Sequence, residues 1–174
     1  GAQDLETAVY DTDAVFTYEP NVLLCTFTSD CIPVIFYNED EGLIGVIHSG
    51  WQGTVKEITL KVFRYIMNSK GCSPKNMRVY IGKSISGEKF EVDEDVYLKF
   101  KCLNYAQPYI CYNEKTCKYH IDNKSIVKSQ CELAGIPSTN IFIDPTCTYS
   151  DPDCFSYRRD KRCGRHMGFV LRNL

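Results

Sequence analysis

The sequence predicts a mixed α/β fold built as a single domain over residues 1–174. Three observations carry this. Short apolar or alternating runs rich in β-formers recur along the chain. Three longer stretches place apolar residues at helical spacing. The runs are joined by tight turns rather than in strict βαβ alternation. A composition of 44 % hydrophobic and 24 % charged residues fits an ordinary globular protein of 174 residues, long enough to bury a sizeable core.

The strand runs, in order, are AVFTY (14–18), VLLCTFT (22–28), PVIFYN (33–38), LIGVIHS (43–49), MRVYIG (77–82), NIFID (140–144) and GFVLR (168–172). The first helix is expected over residues 55–69. Val55, Ile58, Val62 and Ile66 form one apolar stripe, and Gly71 stops it. A second is expected over residues 91–103, with Val92, Val96 and Phe100 on one face and Glu91 as a carboxylate at its N-terminus. A third covers residues 124–134, capped by Asp122 or Asn123 and followed by Gly135. Between the second and third helices, NYAQPYICYNEKTCKYHID reads as a loop followed by a short extended pair.

One hairpin carries the functional reading. PVIFYN and LIGVIHS flank the acidic, glycine-containing turn Glu39–Gly42. With Asn38 opposite Leu43, His48 falls opposite Pro33, and Cys31 lies one diagonal step away on the same face. A one-residue slip would separate them. After His48, SGWQG leads into the first helix and turns unpaired N–H groups toward Cys31. Asp30, next to the cysteine, could orient a ligand or hold a substrate hydroxyl. Taken alone, such a pairing is more often that of two bystanders than of a reactive site.

The ten cysteines show no C-x-x-C spacing, which excludes a zinc ribbon or a thioredoxin motif. Several lie in apolar runs and read as small buried hydrophobes. Mostly reduced thiols, a reducing compartment and a cytoplasmic location are therefore expected. The opening residues are polar and acidic, unlike a signal peptide. No run is long enough to span a bilayer, so no membrane is expected. The formal net charge of −2 argues against a general nucleic-acid-binding surface. One local exception, SYRRDKRCGRH (156–166), concentrates Arg158, Arg159, Lys161, Arg162 and Arg165. It reads as a solvated basic loop or as an anion site, with arginine as a bidentate fork. Arg159 beside Asp160 also suggests a local ion pair. Trp51 reads as a core anchor.

TSDCIPV, HSGWQG, GKSISGEKFEV and CTYSDPDCFSYRRDKRCGR occur in this order. Together they resemble the laccase-domain family, also called the polyphenol oxidase or purine nucleoside phosphorylase family, whose bacterial members are also described as a peptidoglycan editing factor. The resemblance runs from about Asp13 to the C-terminus. It implies two packed β layers flanked by helices, related to a toxin-type Cys–His deamidase domain. It also implies a mononuclear site, usually zinc, held by Cys31, His48 and a further histidine. That histidine lies in an upstream QVHG-like motif with no counterpart in this chain. His120 and His166 are the only other histidines, and neither matches a family ligand. The family usually has Arg at Gln52 and often Gly-Pro at Gly82–Lys83. The resemblance places CTY (147–149) near the pocket, although Cys147 also reads as a buried thiol.

The implied activity is zinc-dependent chemistry on a purine nucleoside, either phosphorolysis of adenosine, inosine or methylthioadenosine, or deamination of adenosine. Arg158 or Arg165 would hold phosphate. The alternatives are a copper-dependent polyphenol oxidase, which three histidines serve poorly, and a metal-free thiol hydrolase with Cys31 as nucleophile and His48 as base. A chain without catalysis, as an inactive fragment or a binding module, is a further alternative.

Overall fold

The computed structural model describes residues 9–173. Its central element is a five-stranded sheet in the order β1-β4-β3-β5-β9, formed by β1 (Ala14–Thr17), β3 (Ile32–Asn38), β4 (Leu43–Ser49), β5 (Arg78–Ile81) and β9 (Ile141–Ile143). The pairs are antiparallel except β5–β9. Strand alternation sends Ile32, Val34, Phe36, Leu43 and Ile47 to one face, where they are buried. There they pack with Phe63 and Ile66 of α2 (Ile58–Lys70) and with Val127 and Cys131 of α4 (Asn123–Leu133). Gly45 is fixed by this packing, because a Cβ there would lie 2.1 Å from the Phe36 ring.

The opposite face of the sheet carries Pro33, Ile35, Val46 and His48. Part of it is covered by an antiparallel ribbon, β2 (Leu24–Thr28) with β10 (His166–Val170). The expected two β layers are therefore present, with helices on the outside of one of them. A third, three-stranded sheet in the order β6-β8-β7 joins β6 (Glu91–Val92), β7 (Ile110–Asn113) and β8 (Lys118–Ile121). It shares a second core with Phe100 of α3 (Glu94–Lys101) and with Ile126. Trp51 packs against this second core, with Lys99 Nζ 5.0 Å from its ring centre.

The first expected helix is two. α1 (Trp51–Val55) ends before Glu57, which takes left-handed φ and ψ of 59° and 39°, and α2 then starts at Ile58. The end of α1 is pinned from outside. Ser49 Oγ lies 2.9 Å from Thr54 Oγ1, Gln130 Nε2 donates to the Thr54 carbonyl, and Tyr105 Oη donates to Glu57 Oε1. Tertiary hydrogen bonds here outweigh helical continuity. The helix start expected at Glu91 also moves. Glu91 pairs with His120 and Val92 with Tyr119 in β6–β8, so Glu91 is a strand residue and not a helix-terminal carboxylate. Asp93 is the N-cap residue, and Glu94 and Asp95 provide the acidic first turn. The third helix starts one residue early at Asn123, with Asp122 accepting from Ser125 N. No helix among the described residues is long and apolar enough to cross a membrane.

Candidate active site

The β3–β4 register is the expected one, with Asn38 opposite Leu43 and His48 opposite Pro33. β1 adds the third member. Its pairing places Ala14 opposite Ile47, so the preceding Asp13 reaches His48. The His48 N–H donates to the Asp13 carbonyl at 2.7 Å, and His48 Nδ1 lies 2.8 Å from Asp13 Oδ1. The other edge of the ring turns to Cys31. Gly50 leaves room for this meeting. A Cβ there would stand 3.2 Å from Cys31 Sγ and 3.7 Å from His48 Nε2.

The result is a chain Cys31–His48–Asp13 on the face of the sheet away from the helices. Cys31 raises the His48 pKa most, and Asp13 adds to it. Together they outweigh burial, which lowers it, and the imidazole is pushed up to about 9. His48 is therefore an imidazolium at neutral pH. Its side chain is 35 % exposed, so it can meet a ligand. The helix that follows is only five residues long and contributes little dipole to the sulfur.

Asp30 uses both carboxylate oxygens within the protein. Oδ1 accepts from Thr148 Oγ1 at 2.6 Å and Oδ2 from the Arg158 N–H at 2.8 Å. It thereby ties the basic loop to the residue beside Cys31. Arg158 lies with its guanidinium 5.7 Å from the Phe90 ring centre and donates through one nitrogen to the Glu91 carbonyl. Arg165 stays local, donating to the Cys163 and Gly164 carbonyls beside the Tyr157 ring. Arg159 clamps backbone carbonyls of Thr148, Tyr149, Asp151 and Cys154, which replaces the ion pair expected with Asp160.

Neither remaining histidine joins Cys31. His120 on β8 contacts Glu91 and Asn113, and His166 on β10 contacts the backbone of Phe155. Among the described residues no three His, Cys, Asp or Glu side chains converge as a metal site. Asp13 meets His48 at the nitrogen remote from the sulfur, which is the position of an orienting carboxylate and not of a ligand. Among the described residues the donor set is thus Cys31 and His48 alone, one ligand short of the usual catalytic zinc set. The described residues therefore do not by themselves complete the zinc site implied by resemblance, and the three separated histidines form no copper cluster among them.

A second feature was not foreseen. An open cavity of about 1070 Å³ is lined by Cys147, Cys111, His120, Asp122, Glu88 and Tyr109, among others. Burial pushes the Cys147 thiol up, but hydrogen bonds from Ser86 and Ser150 outweigh it and bring it down to about 7. Ser86 N–H donates to Sγ at 3.3 Å. All ten cysteines are unpaired, as expected.

Asp13 was also missed, though the signal existed. It immediately precedes a strand run, and registering that run against 43–49 would have placed it opposite His48. Nothing local in the sequence marks Ser86 as a sulfur ligand.

A compact mixed fold with a cysteine, an imidazolium and a carboxylate in series defines a candidate enzyme. The chain belongs to the family described as multi-copper polyphenol oxidoreductase laccase, whose model matches residues 2–173. It is 34 % identical over 172 residues to the purine nucleoside phosphorylase YlmD of Bacillus subtilis, covering 98 % of this chain and 62 % of that protein. It is 35 % identical over 171 residues to a purine nucleoside phosphorylase of Bacteroides thetaiotaomicron, covering 98 % and 63 %. The crystal structure of YlmD from Geobacillus stearothermophilus superimposes with a TM-score of 0.87 at 30 % identity, covering 100 % of this chain and 66 % of that one. The YfiH protein of Bacillus licheniformis gives 0.87 at 31 % identity, covering 93 % and 62 %. The chain therefore spans under two thirds of the length of these curated relatives.

Proposed function

We propose that the Cys31–His48–Asp13 face acts on a purine nucleoside with phosphate, releasing the base. The observation that supports it best is a partly exposed imidazole held by the Asp13 carboxylate on one side and facing Cys31 on the other. In phosphorolysis a phosphate oxygen bonds to the ribose C1′ while the C1′–N9 bond breaks. The electron pair leaves with the purine, which takes a proton at N7. His48 is suited to donate that proton, and Asp13 steadies the ring that gives it up. Arg158, whose backbone N–H is held by Asp30 next to Cys31, has guanidinium nitrogens beyond the one that bonds the Glu91 carbonyl to offer phosphate. Arg165 is a weaker candidate, being held by its own loop. The names of the relatives support the nucleoside and phosphate as substrates.

Inosine, adenosine and methylthioadenosine are the substrates to compare, with deamination of adenosine assayed alongside. Zinc belongs to this reading only with a third ligand added to Cys31 and His48, so no step above passes through a metal. The test is chromatographic detection of free base from each nucleoside, with and without phosphate. Phosphate-dependent release that disappears in His48→Ala is the expected result. Base release independent of phosphate would refute phosphorolysis.

One observation favours a second reading. A thiol beside a histidine that is itself held by a carboxylate is also the layout of a thiol hydrolase or deamidase. Cys31 would attack an amide carbon, ammonia would leave with a proton from His48, and water would release the acid. Activity on amides that survives a chelator but not alkylation of Cys31 would support this reading.

A further inference from the structure

The cavity of about 1070 Å³ has no part in the chemistry assigned to His48. Small-molecule sites commonly enclose on the order of 300–1000 Å³, so it has room for a whole organic ligand. The loop after β5, strand β7 and the loop after β9 wall it. Four of its wall residues carry rings: Pro108, Tyr109, Tyr112 and Pro145. Tyr112 is 54 % exposed and leans on Tyr119 with ring centres 5.0 Å apart, so its other face is available to a flat ligand.

One wall is a cradled sulfur. Cys147 is half-buried, and its Sγ accepts from the Ser86 N–H at 3.3 Å and from Ser150. Behind it stands a fixed positive charge. Lys124 Nζ donates to the Asp144 and Thr146 carbonyls at 2.8 and 2.7 Å, and its ammonium interacts with the Cys147 sulfur. Donors and a cation around a sulfur favour the thiolate, which is the nucleophile. Cys111 lines the same cavity, but no hydrogen bond reaches its sulfur among the described residues. The cavity thus holds one activated thiol and one plain one. A hydroperoxide would use the activated sulfur and leave the walls idle. A flat conjugated carbonyl compound uses both.

The geometry points to Cys147 as a covalent attachment site for an aromatic α,β-unsaturated carbonyl compound, which the ring-walled cavity holds beside the sulfur. The ligand first binds reversibly against Tyr109 and Tyr112. The thiolate then bonds to the β-carbon, and the electron pair of the C=C bond moves through the α-carbon to the carbonyl oxygen. The resulting enolate takes one proton from solvent, replacing the one the thiol gave up. No oxidant or reductant is needed, and nothing leaves. The inference does not rest on the proposed activity.

The test treats the folded chain with 4-phenylbut-3-en-2-one and follows adduct formation by intact mass and peptide mapping. One adduct per chain is expected, on Cys147, with a rate that saturates at a half-saturating concentration below about 5 mM. Acrylamide, which has no ring to bind, should react without saturation. Tyr112→Ala should raise the half-saturating concentration by about fivefold and leave the limiting rate unchanged. Ser150→Ala should do the reverse, lowering the limiting rate by about threefold with half-saturation unmoved. A rate linear in the aryl enone up to about 5 mM would overturn the inference, since the thiol would then be reactive without a site. So would labelling of Cys111 or of exposed Cys102 as fast as that of Cys147. Hydrogen peroxide converting Cys147 to a dimedone-trapped sulfenic acid faster than equimolar enone adds to it would overturn the ligand class.

Discussion

Cys31 and Cys147 have opposite kinds of neighbour. Cys31 follows a strand turn and faces an imidazolium, placed by the registers of β1, β3 and β4. Cys147 lies in a loop and faces N–H and O–H donors from Ser86 and Ser150. Asp30 stands between them. It precedes Cys31, its carbonyl accepts from Ile85 N, and its carboxylate holds Thr148. One region gains its electrostatics from a charged partner and the other from neutral dipoles. Two positions joined by a few hydrogen bonds can thus be polarised by different means, one by a titratable ring and the other by fixed dipoles.

The largest effect should come from breaking the first region. His48→Ala or Cys31→Ala should reduce base release to about a thousandth or less of the parent rate, measured by steady-state kinetics. A loss below tenfold would remove this face from the chemistry. Asp13→Asn comes next. It keeps the shape of the contact but removes the charge, so a fall of roughly 10- to 100-fold in rate is expected. The His48 titration followed by NMR should move down from about 9 in the same variant. An unmoved titration would show that Cys31 alone sets it.

The two regions should also differ in the sign of their pH dependence. The His48 pKa is raised from 6.5 to about 9, so its contribution to stability is complete below about 6.5 and is lost as pH rises through 9. The Cys147 pKa is lowered from 9.0 to about 7, so its contribution is present above 9 and is lost as pH falls through 7. Between pH 7 and 9 the two slopes oppose. Denaturant unfolding of the metal-free protein across this window should show His48→Ala gaining stability with pH relative to the parent. Cys147→Ala should lose stability with pH on the same scale. Parallel curves for both variants would cancel the contrast.

The same contrast explains what could be read from the sequence. The hairpin PVIFYN–EDEG–LIGVIHS has strong alternation on both arms and a defined turn, so its register, and with it the Cys31–His48 pair, followed from pattern alone. Asp13 required pairing a third strand that is distant in sequence. The break at Glu57 and the short β6 depend on partners supplied by Tyr105, Gln130 and His120, which no local period contains. Ser86 and Cys147 are brought together by an isolated parallel bridge between Ser84 and Cys147, a contact without a sequence signature.

Arg158→Ala should have a smaller effect, confined to the anion. Its backbone N–H still binds Asp30 after the change, so the loop should hold its place. The KM for phosphate should rise by about tenfold, with kcat changed much less, because one charge-assisted contact is removed. An equal fall in kcat at saturating phosphate would move Arg158 from phosphate binding to the transition state.

The smallest effect is expected at Cys147, where it tests whether there are two regions or one. Its sulfur is polarised by dipoles that also fold the loop, and no contact joins it to His48. Cys147→Ser keeps a hydrogen-bonding atom in the cradle, so base release should stay within about twofold of the parent, on the scale of a surface-neutral change. The thiol should nevertheless be the reactive one near neutrality. Iodoacetamide labelling of the folded protein, read by peptide mass spectrometry, should show Cys147 modification rising with a midpoint near pH 7. Buried Cys131, whose pKa burial pushes well up, should stay unlabelled until the protein unfolds. If Cys147→Ser instead abolished turnover as fully as His48→Ala, the Asp30 bridge would carry function as well as structure, and the two cysteines would belong to a single site.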